Sequence, residues 1–182
     1  MSQIPAFVGP VLGAMREARE EPRIKKLQGE KRKHVRELME ELRREGVRVN
    51  DEAFDLLLKC VTDAPNPADN LDLLCPEPVA DVGVVDLREV WTAIAEKNCE
   101  PAPLSDIALS LRKFRDKVKV IDPAGALFGG GRADQLCFIV LKYKGEPWLV
   151  TLGQVLGGQY LLGAEPLKRS LAAGSMFPFR PK

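Results

Sequence analysis

Leu136-Cys137-Phe138-Ile139-Val140-Leu141-Lys142-Tyr143-Lys144-Gly145-Glu146-Pro147-Trp148-Leu149-Val150-Thr151-Leu152 is the stretch that decides the fold. Two apolar runs of strand length flank Gly145, which turns the chain. Leu136 to Tyr143 reads as the stronger strand, and Trp148 to Leu152 returns beside it as a hairpin. The segment on to Leu162 reads as a further strand or a loop, and the tail from Met176 to Lys182 as extended chain.

Upstream of the hairpin the periodicity changes from strand to helix. A helix is predicted from about Ile24 to Glu45, because Ile24, Leu27, Val35, Leu38 and Leu42 share one face. Gly29 is a place for a kink, and Gly46 ends the run behind Arg43 and Arg44. Val11 to Glu21 is a candidate short helix, with Pro22 in the break. Asn50 or Asp51 caps a second helix that buries Phe54, Leu57, Leu58 and Val61. The span from Asp63 to Pro78 carries four prolines and reads as a loop around Leu71, Leu73 and Leu74. A third helix starts at Asp86, with Glu89 in capping-box position, and buries Leu87, Val90, Trp91 and Ile94. A fourth, capped by Ser105, runs to about Asp116. Val118 to Ile121 reads as a strand, and Pro123 to Arg132 as a Gly-rich loop before the hairpin.

The expected class is therefore α+β: a helical N-terminal half, then a small α/β unit with a β-hairpin. The expected segments are a helical region over 1–62, a Pro-rich acidic linker over 63–85, and a helix–helix–hairpin unit over 86–182. Helix, helix, strand, loop, strand is the order of a winged helix-turn-helix. On that pattern helix 86–98 supports, helix 105–116 recognises, and Gly129 to Arg132 tips the wing.

The 182 residues hold 27 Lys plus Arg, 26 Asp plus Glu and one His, a formal net charge of +1. Charged residues at 29% and hydrophobic ones at 45% exclude collagen-like, mucin-like and wholly disordered chains. The near-neutral total conceals three blocks. Residues 1–49 carry 12 basic and 8 acidic side chains, residues 50–111 carry 3 and 13, and residues 112–182 carry 12 and 5. Two basic ends enclose an acidic middle. Either the ends fold back on the middle, or a basic face meets phosphates while an acidic face limits non-specific contact.

Catalytic patterns are lacking. Cys60, Cys75, Cys99 and Cys137 show no C-x-x-C spacing, so no metal or cofactor is expected, and the thiols read as reduced and intracellular, in cytoplasm or nucleoid/nucleus. His34 lies in a cationic stretch, which favours neutral imidazole and a solvated role. Gly125 to Arg132 matches neither a Walker loop nor G-x-G-x-x-G. Asp63, Asp69, Asp72, Glu77, Asp81 and Asp86 fit no EF-hand loop. The apolar stretch from Ile4 to Met15 is too short to span a membrane and reads as a packed extended arm; its alternative is a short docking peptide.

Two basic clusters carry the functional expectation. Lys25, Lys26, Lys31, Arg32, Lys33 and Arg36 form the first, and Arg112, Lys113, Arg115, Lys117, Lys119 and Arg132 the second. Such clusters neutralise phosphates and release counterions. The basic residues come late in helix 105–116, where they suit phosphate contacts better than base edges. The reading is a non-enzymatic DNA- or RNA-binding protein: a regulator, or a replication or packaging accessory. The alternative is a protein-interaction module or adaptor, dimeric through the amphipathic helix 24–45.

Overall fold

Strands β5 (Gln135–Tyr143) and β6 (Glu146–Gln154) pair antiparallel across a two-residue turn. Lys144 and Gly145 both take left-handed φ, 51° and 83°. A turn of that kind twists with its strands, which is why a hairpin selects it. Leu136 faces Leu152 and Phe138 faces Val150, with an irregularity between Val140 and Tyr143.

A computed structural model describes residues 8–61, 70–77, 84–119, 134–155, 157–168 and 170–182, with side chains from Ala14 onward. The helices are α1 (Val8–Lys25), α2 (Gly29–Arg44), α3 (Asp51–Cys60), α4 (Leu87–Glu96) and α5 (Ile107–Phe114), with a 3-10 turn at Leu104–Asp106. The remaining strands are β1 (Val47–Val49), β2 (Asp72–Leu74), β3 (Val84–Asp86), β4 (Cys99–Pro101), β7 (Tyr160–Pro166), β8 (Ser170–Ala172) and β9 (Ser175–Pro181). A mixed sheet runs β1-β7-β6-β5-β9-β2, with β4 also on β9. The β1–β7 and β5–β9 pairs are parallel. Strands β3 and β8 form a separate antiparallel pair. The class is α+β.

Side chains alternate across the hairpin strands, as a pleated backbone requires. Leu136, Phe138 and Val140 join the larger core with Val35, Leu38, Met39 and Leu42 of α2, the apolar residues of α3, and Ile107 and Leu111 of α5. Cys137 and Leu149 join the smaller core with Val85, Val90, Ile94, Phe177 and Phe179. The sheet is thus covered on both faces. The larger core takes side chains from Ile24 to Met176, on both sides of the Pro-rich stretch.

Local caps follow the sequence. The Asn50 side chain accepts from Ala53 N at 2.8 Å, and Asp86 from Arg88 N at 2.8 Å. Ser105 caps nothing. It lies inside the 3-10 turn, and Asp106 at the head of α5 turns its carboxylate to Arg180.

Other expectations change. Residues 8–15 are helical rather than an extended arm. Pro22 sits inside α1, and the break falls just beyond Lys25. Lys26 N and Leu27 N close the last turn on Arg23 O and Ile24 O, and Gly29 supplies the left-handed φ of 57° that starts α2. Val118 and Lys119 form no strand; residues 120–133, including the Gly-rich loop, lie outside the described residues. Two features depart from a winged helix. Strand β4 separates α4 from α5, and the hairpin lies inside the sheet, flanked by β7 and β9. The stripe proposed for dimerisation is spent within the chain, since Val35 and Leu42 are 0% exposed.

Leu42→Ala is expected to cost about 2–5 kcal/mol, read from urea denaturation, because it opens a cavity between α2 and the sheet. Deleting residues 1–49 strips that face, and the remainder should be insoluble or lose cooperative unfolding. A soluble, cooperatively folding fragment would contradict this packing.

Candidate functional site

The first basic cluster occupies the α1–α2 junction. Lys25 and Lys26 are exposed at the end of α1. Lys31 Nζ donates to Lys59 O at 3.1 Å, where α3 ends, and so meets a helix C-terminal carbonyl. Arg32 Nε donates to Leu27 O at 2.6 Å. Arg36 pairs with Glu21 at 2.7 Å, joining α2 to α1. Lys33 is exposed and makes no ion pair among the described residues.

The second cluster is tied to the first helical pair. Arg112 lies 3.4 Å from Glu41 and 3.8 Å from Glu45 of α2. Arg115 pairs with Glu45 and lies 5.4 Å over the Tyr160 ring. Lys113 Nζ donates to Leu71 O. Lys117 and Lys119 are exposed, Lys117 beside Asp116 at 4.0 Å. Arg132 lies outside the described residues. The basic ends therefore do fold back, but mainly on the glutamates of α1 and α2. The acidic middle supplies Asp55, which pairs with Arg23, and Glu100 and Asp106, which pair with Arg180.

Of the polar residues early in the helix read as 105–116, Ser105 is half-buried and Asp106 and Ser110 are withdrawn from solvent. Ser110 is 0% exposed and Asp106 4%. Burial raises the Asp106 carboxyl above its ordinary value; Arg180 at 3.4 Å opposes that and Glu100 adds to it. Arg180 also holds Glu100 at 2.9 Å, so this cluster ties β9 to β4 and to the turn before α5.

The four cysteines are unbridged. Burial pushes the Cys137 thiol up to about 12, against hydrogen bonds from Ser175 and Met176 that lower it. Burial also raises Cys60, which Lys31 and Lys59 partly offset. Neither is an activated nucleophile. His34 Nδ1 is buried with no hydrogen-bond partner, which corrects the picture of a solvated histidine. Among the described residues no group of His, Cys, Asp or Glu is placed to hold a metal, and no helix is long and apolar enough to cross a membrane.

A site the sequence reading did not single out is a cleft of about 750 Å³ between α1, the β1–α3 junction and β7. Arg16 and Arg19 line it from α1 and Arg48 from β1. Met15, 61% exposed, and Leu161 supply apolar lining. Arg16 and Arg19 are three apart on one helix, a spacing that puts them on neighbouring turns of one face. That spacing was the available signal. No family model, curated protein or solved structure matches the chain.

Labelling with a thiol reagent at neutral pH is expected to modify exposed Cys75 first and Cys137 only after unfolding, resolved by peptide mass spectrometry. Rapid labelling of Cys137 in the folded protein would contradict its burial.

Proposed function

We propose that the chain is a non-enzymatic interaction module that recognises a partner protein. The observation that carries this reading is the fate of the arginines in the two basic clusters. Arg36, Arg112 and Arg115 face glutamates of the same chain. Glu41 and Glu45 lie beside Arg112 and Arg115 and offset the charge that a phosphate would meet there. Surface pairs of this kind add little stability, ~0–1 kcal/mol each. Their larger effect is to cancel the field that attracts a polyanion. Burial keeps the Cys60 and Cys137 thiols from easy ionisation, which supports a role without catalysis, and the unbridged cysteines fit an intracellular setting.

A second reading is nucleic-acid binding, and one observation favours it. Lys25, Lys26, Lys33 and Lys119 are exposed and form no ion pair among the described residues. They are point charges, suited to sequence-tolerant phosphate contacts. Winged-helix readout by α5 does not join this reading, because Asp106 and Ser110 at its front are buried.

The experiment is a direct comparison on the full chain. An array of acidic, neutral and basic peptides is probed beside labelled double-stranded DNA, single-stranded DNA and double-stranded RNA, at low and near-physiological salt. The expected result is peptide binding that persists at near-physiological salt while nucleic-acid binding fades. Nucleic-acid binding that persists, with no peptide retained, would overturn the module reading in favour of the second.

A further inference from the structure

We infer that the cleft between α1, the β1–α3 junction and β7 binds an extended acidic segment of the partner. The inference rests on the interaction-module reading and adds to it a place and a chemistry. Arg23, Arg32, Arg36, Arg43, Arg44, Arg112, Arg115 and Arg180 each have a partner within the chain. Among the described residues Arg16, Arg19, Arg48 and Arg88 have none. Three of those four line the one cleft. Most guanidinium groups outside the cleft pair with a carboxylate, Arg32 and Arg88 excepted; the three in the cleft have none.

Three carboxylates, Glu20, Asp51 and Glu52, also line the cleft. Glu20 is held by Arg43 at 2.6 Å. Asp51 and Glu52 stand in the first turn of α3, where unpaired helix N–H groups offset negative charge. With Glu20 taken by Arg43, three guanidinium groups face two carboxylates, a small cationic excess, and guanidinium forks match carboxylates in geometry. Met15 and Leu161 add apolar surface for the aliphatic part of such a segment. Strand β1, which contributes Arg48, is the outermost strand of the sheet, and an outermost strand offers backbone groups to an extended chain. A partner segment of alternating acidic and aliphatic residues satisfies these features together.

The probe is a fluorescein-labelled peptide of alternating Glu and Val, titrated by anisotropy into the full chain, with a Lys–Val peptide and inorganic phosphate as competitors. The variants are Arg48→Glu, the double Arg16→Ser with Arg19→Ser, and Arg88→Ser on α4 as the control. None of these side chains has a partner to lose, and thermal melts verify that the fold is intact. Arg48→Lys serves as a second, charge-preserving variant. The expected result is that both cleft variants bind at least about ten-fold more weakly, while Arg88→Ser binds as wild type. Arg48→Lys should fall between. Neither competitor should displace the peptide at equal concentration.

Equal binding by all variants would overturn the cleft assignment and leave the module reading standing. So would retention of only neutral or basic array peptides by the wild-type chain. Displacement by phosphate at equal concentration would overturn the peptide and assign the cleft to a phosphate-bearing ligand. Absence of binding to any peptide would overturn both the cleft and the module reading.

Discussion

Between Leu136 and Val140, strand β5 has no face to leave in water. Leu136, Phe138 and Val140 point to one side, Cys137 and Ile139 to the other, and both sets are apolar. A strand of that composition must lie inside a sheet with cover on both faces. Helices α2, α3 and α5 supply one cover; α4 and the β3–β8 pair supply the other. The covering elements come from both ends of the chain. Strand β9 closes the arrangement by pairing with β5, β2 and β4. Full burial of a large apolar side chain contributes roughly 1.5–3 kcal/mol, so this two-sided packing outweighs any single surface ion pair.

The charge pattern follows from that packing. Once α2 and α5 cover the same sheet face, Arg112 and Arg115 come beside Glu41 and Glu45. Residues far apart in sequence cancel, and the apparent basic ends become a mixed surface. Lysines such as Lys31 and Lys113 are drawn to carbonyls at element ends instead. In the cleft beside α1, Arg16, Arg19 and Arg48 form no ion pair among the described residues. Its arginines sit where α1 passes the outermost strand, away from the glutamates that serve α5.

Local chemistry was legible in the sequence, and long-range pairing was not. Asn50 and Asp86 cap their helices because a cap needs only its next three residues. The hairpin was legible because its turn lies within it. Strands β1, β2, β3 and β4 are three residues each and exist only because a distant partner pairs with them. Strand β9 was harder still, since Pro178 and Pro181 argue against a strand. It forms because Ala102 N finds Pro178 O at 2.9 Å, and Phe177 and Phe179 fill the smaller core. One available sign was under-read. The run from Leu136 to Leu141 is continuously apolar, whereas a hairpin at the rim of a small unit alternates. The cleft was missed because Arg16 and Arg19 lay in a segment read as a short helix broken at Pro22, and Arg48 on a strand too short to recognise.

On the proposed reading, Glu41 and Glu45 offset the charge that Arg112 and Arg115 would offer a polyanion. Glu41→Gln with Glu45→Gln removes the opposing charge and keeps the shapes. The direct measurement is the affinity of labelled double-stranded DNA for the wild-type chain and for this double variant, across a salt series. The account predicts tighter binding by the variant at low salt and a steeper fall with salt, as Arg112 and Arg115 become available. Identical affinities and slopes would contradict it.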